Sequence, residues 1–291
     1  MLALFIPLMC AIMYPVATLL AKRSLEKGAD VWTLTVINYW MMAVIFLPAF
    51  FLDGRPIPWS LWYQPVCMGL FSFLGQTFGF KAIASGDLTI ATPALSSKVL
   101  LVALLSVTLL RQSVTPSLWI AAVCSFAAVF FLQAGVKTAR RQVFATLLFS
   151  LMTAACFAVG DVLIQKWSPA WGVFHFVPAF GLASAIYSLV LLPLIRKPRF
   201  ALSAFAWKWT LAGTAVLGLQ SLLFTLSIGL FGQVTQSNII FSSRGLWNFL
   251  LIWFGGRWFA NRERETGSGT MAYRLVGAAL MFVAIILASR R

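Results

Sequence analysis

Apolar residues run through this chain in long blocks, without the strict alternation of a half-buried strand or the one-sided stripe of a soluble amphipathic helix. Ten such runs can be marked, at about 2–21, 31–52, 62–83, 88–110, 117–135, 143–165, 173–195, 207–229, 234–256 and 271–289. Each is close to the roughly 20 residues that a helix needs to cross a bilayer. The pattern therefore predicts an all-α membrane protein of ten transmembrane helices; the segments of about ten alternating residues expected of a membrane barrel are missing. Residues Met1 to Leu8 carry no basic leader, so the first run is read as a spanning helix and not as a cleaved signal.

A weak internal repeat organises these runs. Without gaps, GDLTIATPALSSK (Gly86 to Lys98) lies over GQVTQSNIIFSSR (Gly232 to Arg244), with identities at Gly86 and Gly232, Thr89 and Thr235, Ser96 and Ser242, and Ser97 and Ser243. Lys98 falls on Arg244. Ala11 to Lys22 likewise lies over Ala155 to Lys166, with identities at both ends and at Leu19 and Leu163. The halves, residues 1–136 and 137–291, then hold five spans each. An odd number of spans makes the second half enter the membrane in the opposite sense, the inverted-repeat plan in which substrate sites lie near the midplane between halves.

Composition agrees with a bilayer protein: 61% of the 291 residues are hydrophobic and only 10% charged, with a mean hydropathy of +0.91. The net charge of +15 does not point to nucleic acid, because the basic residues are spread through short connections and form no separate basic domain. Of the 22 lysines and arginines, 15 lie in or beside the odd-numbered connections and 5 in the even ones and the C-terminus. The positive-inside rule places the odd connections in the cytoplasm and both termini outside. Trp32, Trp59, Trp62, Trp119, Trp171, Trp207, Trp209 and Trp258 lie near span ends, as in an aromatic belt. The polar stretch NRERETGSGT, from Asn261 to Thr270, reads as a solvated loop. The four cysteines sit inside apolar runs, lack metal-ligand spacing and read as packing residues.

The candidate chemistry is what charge remains at depth. Lys98 lies near the centre of the fourth span and Arg244 near the centre of the ninth. Intramembrane cations cost roughly 2.5–3.5 kcal/mol on insertion scales and ordinarily face a cavity or a charged partner. Pro93, five residues before Lys98, removes a backbone donor and leaves a carbonyl one turn earlier unpaired, which in a membrane helix is tolerated beside protein or water. In span nine Ser237, Arg244 and Asn248, at spacings of seven and four, fall on one helical face. Gln76, Gln220 and Asn38 add polar groups at depth, and the expected substrate-binding set is Lys98, Arg244, Asn248, Ser237 and Gln76. Asp161 is the one acid within an apolar run. It is a candidate proton-coupling carboxylate, a structural partner of the cations, or a group near water at the end of span six, five residues before Lys166. His175 opens span seven as an interfacial anchor or proton relay, and the GxxxG of Gly75 and Gly79 marks close helix packing.

With these features the chain resembles the EamA-like ten-helix transporters of the drug/metabolite transporter superfamily. GDLTIATPALSSKVLLVALL and its second copy SSRGLWNFLLIWFGGRWF carry the resemblance, which extends over two five-helix units. It implies transport of small metabolites, amino acids among them, with related carriers moving sugar phosphates and nucleotide sugars, and for several members it implies cytoplasmic termini. Many members carry a glutamate just after the fourth and ninth helices; here those places read Leu110-Arg111-Gln112 and Gly256-Arg257-Trp258. No hydrolase, metalloprotease or phosphate-binding motif is present, so neither an enzyme nor an ATP-driven pump is expected, and no cofactor or metal.

The expectation is thus a secondary transporter of the inner cell membrane. It would move an organic anion or amino acid by alternating access with proton coupling or exchange, with a small molecule, lipids and protons as partners. Two alternatives stand beside it: an exporter of neutral or aromatic compounds with purely structural charges, and a membrane-embedded sensor that moves nothing.

Overall fold

A computed structural model describes residues 2–85, 94–132, 140–195, 200, 202–255 and 268–289. Gly86 to Pro93, the boundary near residue 136, Arg196 to Arg199, Gly256-Arg257-Trp258 and most of the NRERETGSGT stretch lie outside them.

The described residues are helical with no strand among them, and every apolar run carries helix. The first half holds α1 (Leu2–Glu26), α2 (Val31–Phe46), α3 (Tyr63–Ser85), α4 (Lys98–Thr108) and α5 (Pro116–Leu132). The second holds α6 (Arg140–Trp171), α7 (Val173–Ser188), α8 (Ala204–Phe231), α9 (Val234–Phe241), α10 (Arg244–Gly255) and α11 (Ser268–Ser289). Five helical stretches are long and apolar enough to cross a membrane, and Ala94–Thr108, Pro116–Leu132 and Leu275–Ser289 are shorter apolar helices.

Local chemistry sets several of these boundaries. Asp30 begins α2, its carboxylate accepting from the Trp32 and Thr33 amides at 2.9 and 3.0 Å, which satisfies donors that no helical carbonyl reaches. Ser203 does the same for α8 through the Ala206 amide at 3.1 Å. The second helix of each half closes in a 3-10 segment holding a proline, Leu47–Phe51 after α2 and Leu189–Leu194 after α7. Proline cannot supply the amide that would prolong the α-helix.

Mid-helix side chains such as Val44, Phe130, Ile186 and Phe282 are each more than 60% exposed, while Thr35, Asn38, Ser125, Ser184, Thr210 and Ser227 are buried. This arrangement suits a hydrocarbon surround, where polar groups must find partners within the protein.

The halves interlock rather than stand apart. The most extensive packing joins α1 to α8, α3 to α6, α5 to α11, α2 to α8, α3 to α7 and α2 to α7. Ser24 and Thr210 hydroxyls meet at 2.5 Å between α1 and α8, and the Ser184 hydroxyl donates to the Gly69 carbonyl at 3.1 Å between α7 and α3. The GxxxG of α3 packs on α6: a Cβ added at Gly75 would stand 2.8 Å from the Phe157 ring, and one at Gly79 3.5 Å from Thr153. The glycines thus let α3 and α6 approach closely.

Two expectations about span ends change. Trp171 is 3% exposed and packs edge-on against Trp59 and Phe176, so it belongs to the core and not to a lipid-facing belt. His175 is buried against the Phe50 ring, with 5.0 Å between centroids. Both sit at the turn between α6 and α7, which the connection after α2 covers. Arg55 there forks onto Asp53, with Nη2 2.8 Å from Oδ2. This hydrogen bonding from Arg55 holds the Asp53 carboxyl below its ordinary range and raises the guanidinium.

Candidate functional site

Spans four and nine are both interrupted, at matching places. Ser97 turns between a short helical stretch and α4, its amide bonding the Ala94 carbonyl three residues back and its hydroxyl donating to the same oxygen at 2.7 Å. At Ser242 and Ser243, between α9 and α10, the Ser242 amide is shared between the Asn238 and Ile239 carbonyls at 3.0 and 3.2 Å, the Ser243 amide reaches the Ile240 carbonyl three residues back at 3.0 Å, and the Ser242 hydroxyl donates to the Ile239 carbonyl at 2.5 Å. Serine hydroxyls that bond a preceding carbonyl bend helices, and a stretch of 3-10 bonding within a helix marks a local break. The first residue after each break is a cation: Lys98 opens α4 and Arg244 opens α10.

The two cations have different surroundings. Lys98 is 7% exposed, and its Nζ lies 2.7 Å from Asp161 Oδ2 on α6. Asn238 on α9 donates to that same oxygen at 2.8 Å and to the Val234 carbonyl at 3.0 Å. The rings of Phe157, Phe224 and Phe241 surround the ammonium at 5.3–5.8 Å. Arg244 instead lies over the rings of Tyr14 and Phe241, with Cζ at 4.7 and 4.6 Å from their centroids. Among the described residues no carboxylate is in ion-pair range of its guanidinium. Phe241 stands between the two cations and touches both.

These groups border a cavity of about 90 Å³ between the halves. Tyr14, Lys98, Asp161, Phe241 and Arg244 are among the residues that line it, as are Asn38, Gln76 and Gln220. Lys98, Asp161 and Arg244 together leave one net positive charge beside it, and the positive ends of α4 and α10 add to that field.

Of the residues singled out from the sequence, Lys98, Arg244, Gln76 and Asp161 come together at this cavity. Ser237 and Asn248 are not in its lining. The expectation of one face for Ser237, Arg244 and Asn248 assumed a continuous helix, and the break at Ser242 and Ser243 interrupts that register. Ser237 is buried at 1% exposure and Asn248 is half-buried in α10. Asp161 is not at a wet helix end. α6 continues to Trp171, well beyond the apolar run, so Asp161 is 7% exposed while Lys166 is exposed.

Sequence reasoning overlooked Tyr14, Phe157, Phe224 and Asn238 as neighbours of the charges. The rings carry no distinguishing signal among 26 phenylalanines, though Asn238, a side-chain amide in mid-span, could have been flagged as a polar group at depth. Gln112, after α4, receives a hydrogen bond from Gln165 of α6 at 2.9 Å, and Gln165 in turn accepts from the Val234 amide that opens α9, at 2.8 Å.

Fold and cavity define a multi-pass helical membrane protein. The model of the EamA-like transporter family matches residues 1–133, which bears out the EamA-like resemblance over this part of the chain. The matched model is described as one of transporters. One crystal structure of a protein superposes with a TM-score of 0.76 at 19% identity, covering 99% of this chain and 96% of that one; the likeness is one of fold. No curated protein matches the sequence.

Proposed function

We propose that this chain is a secondary transporter of a small organic monoanion, with Arg244 as the anion anchor. The observation that carries the reading is the guanidinium of Arg244, set at a cavity between the halves with aromatic rings against its face and, among the described residues, no carboxylate in ion-pair range. A guanidinium presents a planar fork of donors matched to a carboxylate, and one monoanion would neutralise the net charge of the site. Gln76 lines the same space, whereas Lys98 is engaged by Asp161. The carboxylate selectivity thus rests on one cation, and Lys98 ties α4 to α6.

Alternating access by two inverted five-helix halves is part of this reading. Its support is the pairing pattern. If α1, α2, α3 and α5 correspond to α6, α7, α8 and α11, the α1–α8 contact maps onto α6–α3, α2–α8 onto α7–α3, and α5–α11 onto itself. The matching breaks before Lys98 and Arg244 fit the same scheme. An inner cell membrane is the proposed location. Coupling runs through exchange or through protonation of Asp161, which would release Lys98.

Counterflow of labelled small carboxylates in proteoliposomes tests the proposal. Saturable exchange is expected, and Arg244→Gln should reduce it at least tenfold, the loss of about 1.4 kcal/mol or more of binding. Unchanged flux and affinity in a folded Arg244→Gln protein would leave Arg244 without the assigned role. An absence of any saturable exchange would favour the sensor reading.

A further inference from the structure

Beyond the cavity, on the side of the even-numbered connections, a polar seam joins α4, α6 and α9. α4 leaves the cavity at Lys98 and ends on that side, α9 begins there and reaches the cavity at Phe241, and α6 runs past Asp161 toward the same side. Two turns along α4 from Lys98, the Ser106 hydroxyl meets that of Thr235 on α9 at 3.0 Å. One turn along α6 from Asp161, on the same helical face, Gln165 bonds both of the other spans. Its Oε1 accepts from the Val234 amide at 2.8 Å, and its Nε2 donates to Gln112 Oε1 at 2.9 Å. The Val234 amide opens α9 and has no helical carbonyl to reach, so it takes the Gln165 oxygen and thereby turns the NH2 group toward Gln112. The chain after α4 is bent to receive it. Arg111 has φ of +54°, a left-handed conformation costly to any residue with a side chain, and the Gln112 amide folds back onto the Ser106 carbonyl at 3.1 Å. Strain of this kind persists where the surroundings hold it, and it gathers in switch regions. One face of α6 therefore grips both interrupted spans twice, at the cavity through Asp161 and beyond it through Gln165.

We infer that Gln165 is the latch of a gate: its bonds to Gln112 and to the Val234 amide hold α4 and α9 against α6 and shut the cavity from the even-numbered side. This rests on the alternating-access reading above and deepens it by naming the residue that closes one side. Both bonds are between neutral groups, and such bonds exchange for bonds to water at little net cost. The seam therefore holds the spans without locking them. Gln112 at its rim is exposed while Ser106, Gln165 and Thr235 are buried, so water reaches the Gln112 bond first and the spans part from there inward.

Thiol labelling of the purified full chain in lipid nanodiscs, which leave both faces accessible, tests the latch without any substrate. Val102 is fully buried on α4, on the face it shares with Lys98 and Ser106 and between their levels, so a cysteine there reports the space that the seam closes. In Val102→Cys that thiol should react slowly with a polar maleimide, read by mass spectrometry of its peptide. Adding Gln165→Leu should speed the reaction about five- to tenfold, as expected for the loss of one or two net hydrogen bonds. Gln112→Ala removes only the outer bond, at an exposed place; it should give about two- to fivefold and keeps the test alive if Gln165→Leu does not fold. Ala17→Cys, buried on α1 beside Leu34 and Phe80, should label no faster in either background. Equal rises at positions 17 and 102 would mean general loosening and overturn the inference. So would an unchanged rate at position 102 in the folded variants, or rapid labelling there before the latch is altered. Carboxylate counterflow measured on the same proteins separates the two readings: exchange with unchanged labelling defeats the latch alone, and latch-dependent labelling without exchange defeats the monoanion reading alone.

Discussion

At the scale of single residues, the question is how two cations are kept inside an apolar bundle. Lys98 is held by Asp161 at 2.7 Å, and Asp161 by Asn238 as well. Removing one partner of a buried ion pair leaves an uncompensated charge, a loss of roughly 3–5 kcal/mol, whereas replacing both by apolar groups is often neutral. Asp161→Asn should therefore lower the thermal stability of the purified protein sharply, and Lys98→Met in the same chain should restore most of it. A double variant no more stable than Asp161→Asn alone would contradict this account. Arg244 has no such partner among the described residues, and its rings contribute only about 0.5–2 kcal/mol each as cation–π contacts.

At the scale of elements, the turn between α6 and α7 joins parts remote in sequence. Gly172 there has φ of +78°, and a Cβ at this place would run into the Asp53 carboxylate and the Arg55 guanidinium. Those two side-chain ends can swing aside, but the left-handed backbone conformation acts against any side chain. Gly172→Ala should cost roughly 1–3 kcal/mol, read as a lower melting temperature, while Gly54→Ala in the neighbouring connection, which meets no neighbouring atom within 4 Å, serves as control. Equal melting temperatures for the two variants would mean that this turn relaxes freely. Broken helices belong to this scale too. Serine pairs at 96–97 and 242–243 were legible in the sequence as repeat identities, but their effect on the backbone was not, because a serine in a helix bends it only where its hydroxyl turns back onto a carbonyl.

Across the whole molecule, the arrangement of basic residues makes a prediction about orientation. With odd connections cytoplasmic, a cysteine introduced at Gly54, exposed in the second connection, should react in intact cells with a membrane-impermeant thiol reagent. One introduced at Glu26, at the exposed end of α1, should react only after the cells are opened. The opposite pattern would place the termini in the cytoplasm, as the family resemblance implies. Either orientation leaves the cavity where it is, between halves whose helices pack across one another. The most extensive helix packing runs between residues 1–136 and 137–291, so these are not two separable packing units.

Hydrophobic block length determined by itself that the chain is helical and suited to a membrane, because a bilayer demands about the same apolar length of every span whatever surrounds it. The same reasoning brought Lys98, Arg244, Asp161 and Gln76 forward, since a polar group in such a run stands out without knowledge of its neighbours. Tertiary structure alone decided how they are used. Which cation meets Asp161 depends on where α4 and α9 pack against α6, and that packing is set by contacts between residues more than sixty positions apart. The repeat made Lys98 and Arg244 equivalents; packing made one a tie between helices and left the other facing a cavity.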